Sequence, residues 1–149
     1  MHLRFTSTSA LIMPAFAIKA DRDQQVIDAL LAAFPGTISA HERMHDMLVI
    51  TVDRSAIHDV VRHCKEQLDF NFLTTLCGMH FPERDALGLV IHLHSMRAGH
   101  RIRLKTETPL KDPVFHTFTD LWPTANWMER EAFDFFGLHF SGHPNLKRI

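Results

Sequence analysis

Glu129, Arg130, Glu131 and Asp134 crowd four charges into six positions near the C-terminus, and His143, Lys147 and Arg148 follow them. Carboxylates this close could do general acid–base work. No nucleophile or oxyanion arrangement accompanies them, so helix capping and pairing with another subunit are the simpler uses. Arg130 and Asp134 stand four apart, the spacing of a surface ion pair on a helix. Such pairs are common and individually weak.

Twelve histidines invite a metal reading. His41 with His45, His139 with His143, and His92 with His94 each offer two imidazoles. Spacing of four suits zinc on a helix, but Gly142 and Pro144 mark the second pair as loop. Arg103 and Lys105 are predicted to face His92 and His94, where they would repel a cation, and no carboxylate is placed to orient either ring. The expectation is no native metal site, with the histidines at surfaces or interfaces.

Redox cofactors fare no better. The chain has no GxGxxG after a strand, no GxxxxGK[ST] and no cysteine array, so no bound nucleotide, flavin or cluster is expected. Cys64 and Cys77 are too few for a disulfide framework and suggest a reducing compartment. A basic sheet face of His92, His94, Arg101, Arg103 and Lys105 could hold RNA or another polyanion. RNA-reading sheets interleave aromatics for base stacking, and this face has Met96 instead. With 16 Lys and Arg against 17 Asp and Glu, the net charge of −1 adds no general attraction.

The elements that must position these groups follow from spacing. Asn126 and Glu129 are three apart, as in a capping box, which predicts a helix starting at Asn126. Met128, Ala132, Phe135 and Phe136 then share one face, and Gly137 supplies the left-handed end. Residues 138–149 are basic and turn-rich, with Gly142, Pro144 and Asn145. They are predicted to be an irregular extension that orders on docking, anchored by Phe140 and Leu146, with Lys147 and Arg148 meeting acidic groups across an interface.

Upstream, Val26, Ile27, Leu30, Leu31 and Phe34 mark a helix opened by Asp21 or Asp23 and closed by Pro35-Gly36. Residues 37–40 and 47–52 read as a hairpin joined by the polar stretch 41–46. A second helix, capped by Asp53 or Ser55, lines up Ile57, Val60, Val61, Cys64 and Leu68, which makes Cys64 a core thiol. Residues 70–81 have strand composition, and Pro82 ends them.

Leu89, Ile91 and Leu93 alternate with Val90, His92 and His94, as Ile102, Leu104 and Thr106 do with Arg101, Arg103 and Lys105. A two-residue turn at Ala98-Gly99 would set Leu93 opposite Leu104 and His92 opposite Lys105. Residues 108–123 hold three prolines and read as loop with at most a helical turn around 114–118.

The order implies a single α+β domain, residues 1–149, with helices packed on one face of a mixed or antiparallel sheet. Residues 1–20 form an entry segment. They lack acids and are rich in Ser and Thr, as in transit peptides, but Pro14 inside a short apolar run with only Arg4 ahead of it argues against a leader. No stretch approaches the roughly 20 apolar residues of a membrane span.

One run of residues carries more than composition. Glu129-Arg130-Glu131, Asp134-Phe135-Phe136, His143 and Lys147-Arg148-Ile149, at these spacings, resemble the signature of the hydrophilic C subunit of NADH:quinone oxidoreductase, respiratory complex I. Asp120-Leu121-Trp122-Pro123, Ala125-Asn126-Trp127 and Gly137-Leu138 extend the likeness, and it runs more loosely back to about Phe70. His80 departs from it, standing where relatives usually carry an acid.

The resemblance implies a non-redox structural and coupling subunit of the peripheral arm. It would pack against the quinone-site D subunit and near iron–sulfur subunits, on the cytoplasmic side of a bacterial plasma membrane or the matrix side of a mitochondrial one. NADH, flavin, iron–sulfur clusters and quinone would belong to the assembled complex, with no catalytic residue in this chain. It further implies that Glu129, Arg130, Glu131, Asp134, Gly137, His143, Pro144, Lys147 and Arg148 are signature and interface residues. A subunit of a membrane-bound hydrogenase or related oxidoreductase would share the signature. A free-standing polyanion-binding module is the rival of another class.

Overall fold

The computed structural model describes residues 15–149, the first three by backbone alone. The expectation about a leader, and most of the entry segment, lie outside the described residues. Residues 15–20, the described end of that segment, begin a helix.

Helix α1 (Ala15–Ala33) leads into strands β1 (Ile38–Met44) and β2 (Met47–Val52), then helix α2 (Ile57–Gln67). Strands β3 (Phe72–Phe81), β4 (Ala86–Ser95) and β5 (His100–Pro109) follow, with a 3₁₀ turn at Pro82–Arg84 after β3. Short strands β6 (Val114–His116) and β7 (His139–Ser141) flank helix α3 (Ala125–Phe136). The main sheet has the order β1-β2-β5-β4-β3. Its ladders are antiparallel except β2 with β5, which run parallel.

Strict alternation decides which residues enter the core. Leu48, Ile50, Leu89, Ile91, Leu93, Ile102 and Leu104 share one cluster with Val26 and Leu30 of α1, Val60 and Cys64 of α2, and Ala125 and Ala132 of α3. His92, His94, Arg101, Arg103 and Lys105 alternate with them and lie outside that cluster. The helices therefore cover one face, and the sheet is mixed, as the pattern implies.

Several details differ from expectation, each for a local reason. Strand β1 runs on to Met44, because His45 and Asp46 both take positive φ, 48° and 66°, and close a two-residue hairpin of the twist that antiparallel strands favour. Asp23 does not open α1. It sits inside the helix, 7 % exposed, ion-paired with Arg43 and 2.7 Å from His100 Nε2. Ala56 occupies the N-cap of α2 without a side-chain bond, so neither Asp53 nor Ser55 caps it.

The β4–β5 connection is two residues longer at its start than the predicted turn. Leu93 therefore faces Ile102, and His92 faces Arg103. A slip of two positions keeps every side chain on its face, which is why both faces kept their chemistry although the partners moved. Residues 114–116 are strand rather than helical turn, paired in parallel with 139–141.

Close approach makes one glycine indispensable. A Cβ on Gly78 of β3 would stand 2.5 Å from Phe136 Cδ2 and 3.1 Å from Leu138 Cδ1, so α3 seats directly on bare backbone. Gly78→Ala should lift the end of α3 and cost about 1–3 kcal/mol, as overpacking does. A denaturant melt reads the loss, and an unchanged midpoint would show that Phe136 swings aside freely.

Cys64 is fully buried, and burial pushes its thiol up to about 12. A thiolate is the reactive form, so Cys64 should resist alkylation in the folded protein while half-buried Cys77 reacts first. Counting labelled thiols with and without denaturant checks this.

Candidate functional site

The signature residues converge where α3, β7 and the chain end meet β6. Ala125, Glu129, Ala132 and Phe136 form the inward stripe of α3, with Met128 packed at its edge; of the predicted Met128, Ala132, Phe135 and Phe136, only Phe135 falls outside. Phe135 is 71 % exposed. The stripe also holds an acid, which no apolar periodicity would count.

Glu129 is 0 % exposed. It takes no part in a capping box: Thr124 is the N-cap and makes no side-chain bond. Instead its Oε2 accepts from Thr117 Oγ1 at 2.6 Å and its Oε1 from the Phe118 backbone N–H at 2.6 Å. Burial pushes the carboxyl up to about 7, against the pull of the Thr117 and Phe118 hydrogen bonds. The group thus ties α3 to the segment after β6.

Arg130 is not on a polar surface. It is 7 % exposed, with Nε donating to the Lys147 carbonyl at 3.0 Å and Nη2 to the Arg148 carbonyl at 2.7 Å. Its guanidinium lies 4.4 Å from the centre of the Trp127 ring. The expected Arg130–Asp134 pair gives way to Arg148, whose Nε donates to Asp134 Oδ1 at 2.7 Å. That hydrogen bond holds the Asp134 carboxyl below its ordinary range.

His143 has a fully buried side chain, its Nε2 3.8 Å from Glu129 Oε2. Nε2–H donates to the Asn126 carbonyl at 3.2 Å, and Nδ1 accepts from the Asn145 N–H at 2.9 Å. Gly137 closes α3 with φ of 74°, its N–H bonded to the Phe133 carbonyl. Residues 138–149 are thus partly regular and held by the domain itself. Leu138 and Phe140 are buried in its core and Leu146 packs against it, so these apolar anchors serve this chain rather than a neighbour. Glu131, Pro144 and Lys147 are exposed, as are the large faces of Trp127 and Phe135.

Glu129 does not line the open groove beside it, which His116, Thr117, Asp120 and Asn126 border. Its oxygens are committed to structural donors, and it faces no substrate space. His139 and His143, one of the pairs weighed from sequence, are engaged apart: His139 bonds the Gly137 carbonyl, while His143 bonds that of Asn126. On the opposite sheet face, Arg103 Nε donates to His92 Nε2 at 2.8 Å, and burial with Arg103 and Arg101 lowers that imidazole's basicity. Phe72, half exposed and paired with His94, puts an aromatic on this face that the alternation of β4 and β5 alone could not show.

Helices on one side of a five-stranded mixed sheet, with the terminal helix locked to its own tail, define a subunit domain shared by respiratory membrane complexes. A solved structure described as "Nqo5 of the trypsin-resistant fragment (1-134) in P63 form" superposes with a TM-score of 0.71 at 31 % identity, covering 84 % of this chain and 99 % of that one. Another, "Structure of the membrane-bound sulfane sulfur reductase (MBS), an archaeal respiratory membrane complex", gives 0.74 at 26 % identity over 83 % of this chain and 73 % of that one.

Residues 50–149 match the family described as "Respiratory-chain NADH dehydrogenase, 30 Kd subunit", and the chain belongs to that family. Among its relatives, the C subunit of NADH-quinone oxidoreductase from Roseiflexus sp. (strain RS-1) is 39 % identical over 83 % of this chain and 73 % of its own length. The second of the C subunits of Rhizobium meliloti (strain 1021) is 36 % identical over 83 % and 69 %. For the C subunit of Erythrobacter litoralis (strain HTCC2594) the figures are 38 %, 80 % and 48 %, so the chain spans about half of that relative.

Proposed function

We infer that this chain is the C subunit of an NADH:quinone oxidoreductase, a structural member of its peripheral arm that carries no redox centre. One observation supports this most: four of the signature charges, Glu129, Arg130, Asp134 and Arg148, are spent on groups of this same chain. Glu129 binds residues 117 and 118, Arg130 binds the carbonyls of 147 and 148, and Arg148 binds Asp134. Side chains used this way shape a surface rather than transform a substrate. Exposed on that surface are Trp127 and Phe135, large anchors of the kind that dominate protein interfaces.

In this reading the surface meets the D subunit of the quinone site, with iron–sulfur subunits nearby. NADH, flavin, clusters and quinone are held by those other subunits, and the chain sits on the cytoplasmic side of the plasma membrane. A second reading, a subunit of a hydrogenase-like or sulfur-reducing complex, draws on the likeness to the sulfane sulfur reductase. Capture of the tagged chain from gently solubilised membranes tests both. Recovery with a quinone-site subunit and NADH:quinone activity supports the first, and recovery with a hydrogenase-type or sulfur-reducing partner supports the second. Recovery alone, or with RNA in a salt-dependent manner, would overturn both.

A further inference from the structure

We propose that His58, His116 and Asp120 form a binding site for a divalent cation of the zinc class, which staples α2 to the segment that follows β6. None of the three belongs to a histidine pair visible in the sequence. The fold brings together one donor atom from each, all within 4.8 Å of one another, the one such grouping among the described residues. His58 Nε2 lies 3.1 Å from Asp120 Oδ1 and 3.0 Å from Oδ2. The His58 and His116 rings stand 4.2 Å apart at 60°.

Second contacts favour ligation. His116 Nδ1–H donates to the Thr117 carbonyl at 2.7 Å, which leaves Nε2 with its lone pair bare. Metal-bound histidines are oriented in just this way. His58 is steadied by the Phe118 ring at 5.5 Å and is only 12 % exposed in its side chain. Zinc bonds of about 2.0–2.2 Å set tetrahedral ligand atoms roughly 3.4 Å apart, so His58 and Asp120 already stand near ligand spacing and any gap, up to 4.8 Å, lies toward His116. His116 and Asp120 are both exposed and can close that gap by rotation. Two nitrogens and one oxygen, with the remaining positions open to the groove, suit zinc and its neighbours rather than magnesium or calcium, which prefer oxygen alone.

Arg62 opposes the cation. Its Nη2 lies 3.3 Å from His58 Nδ1 and 4.0 Å from Asp120 Oδ2. Because guanidinium only donates, His58 now carries its proton on Nε2. Cation entry moves that proton to Nδ1, which requires Arg62 to turn away. Arg62 is 44 % exposed and already 3.5 Å from Asp59, so it has a place to go.

The test uses the full chain, stripped with EDTA and titrated with ZnCl₂ against a chromophoric chelator. One equivalent should bind in the micromolar range or tighter, and zinc but not magnesium should raise the melting temperature. His116→Gln and Asp120→Asn, both at exposed positions, should each weaken binding at least about tenfold. Arg62→Gln should tighten it several-fold, and the exposed His139→Gln should leave it unchanged. Binding absent below about 100 μM, or retained in both ligand variants, overturns the site. So does weakening in Arg62→Gln, which would mark the cluster as an ion-pair network instead.

Discussion

Glu129→Ala should destabilise the folded chain by about 2–4 kcal/mol, although the residue removed is an acid in the middle of a charged run. The substitution leaves the Phe118 N–H without its acceptor in a buried place, and an orphaned donor costs about 1–3 kcal/mol. The lost side chain adds a cavity term. Thr117 suffers less, since its hydroxyl already lies 2.9 Å from Thr119 Oγ1. Glu129→Gln should cost less than alanine, keeping one acceptor but turning an amide donor toward the other partner.

The same group sets a pH dependence with a definite sign. Burial raises the Glu129 carboxyl from its ordinary 4.5 to about 7, so the folded state holds a proton that the unfolded chain has released. Its contribution is fully present below about 4.5 and is lost as pH rises to about 7, amounting to about 3 kcal/mol by linkage. Asp134, held low by Arg148, works the other way and loses its contribution in acid. The difference between wild type and Glu129→Gln isolates the first effect. Urea unfolding from pH 4.5 to 8 should show wild type losing ground to the variant as pH rises, and a flat difference would mean an ordinary carboxyl.

For Arg130→Ala the expected loss is about 2–3 kcal/mol, concentrated at the chain end. Hydrogen bonds from a charged donor contribute about 1.5–3 kcal/mol each, but the two carbonyls belong to exposed residues and regain water. Hydrogen exchange of residues 143–149 should accelerate far more than that of β4 and β5. Arg130→Lys, a point charge without the planar fork, should restore only part of the protection. Arg148→Ala, which breaks the exposed pair with Asp134, should leave the melting temperature nearly unchanged. Equal exchange in wild type and Arg130→Ala would show that Phe140 and Leu146 alone hold the extension.

Local order was legible wherever one period governed burial. The core face of β4 and β5 follows from alternation, and α2 from Ile57, Val60, Val61 and Cys64. The contiguous signature was legible too, because its residues are close in sequence. What escaped depends on distant partners. Glu129 and Arg130 are charged residues that burial tolerates only because Thr117, Phe118 and the carbonyls of 147 and 148 arrive to meet them. Periodicity within the helix therefore finds Met128, Ala132 and Phe136 but not the charged half of the inward face of α3. Strands of three residues between prolines carry too few alternations to register, and β6 and β7 exist because each supplies the other's hydrogen bonds. His58, His116 and Asp120 come from a helix, a strand end and a loop, and no local spacing announces them.

The parallel ladder between β2 and β5 has a consequence for synthesis. Leu48, Val49, Ile50 and Thr51 pair with β1 on one side at once but find their partners on the other only at Ile102 to Lys105, about fifty residues later. A ribosome adding roughly 5–20 residues per second leaves one edge of β2 open for several seconds after it emerges. That edge reads MLVITV, uncharged and β-prone, the type of segment that pairs with copies of itself. The nascent chain must therefore pass through an interval in which this interior apolar strand has a neighbour on one side only. Slowed translation between residues 52 and 102 prolongs the risk of aggregation, and arrival of β5 ends it.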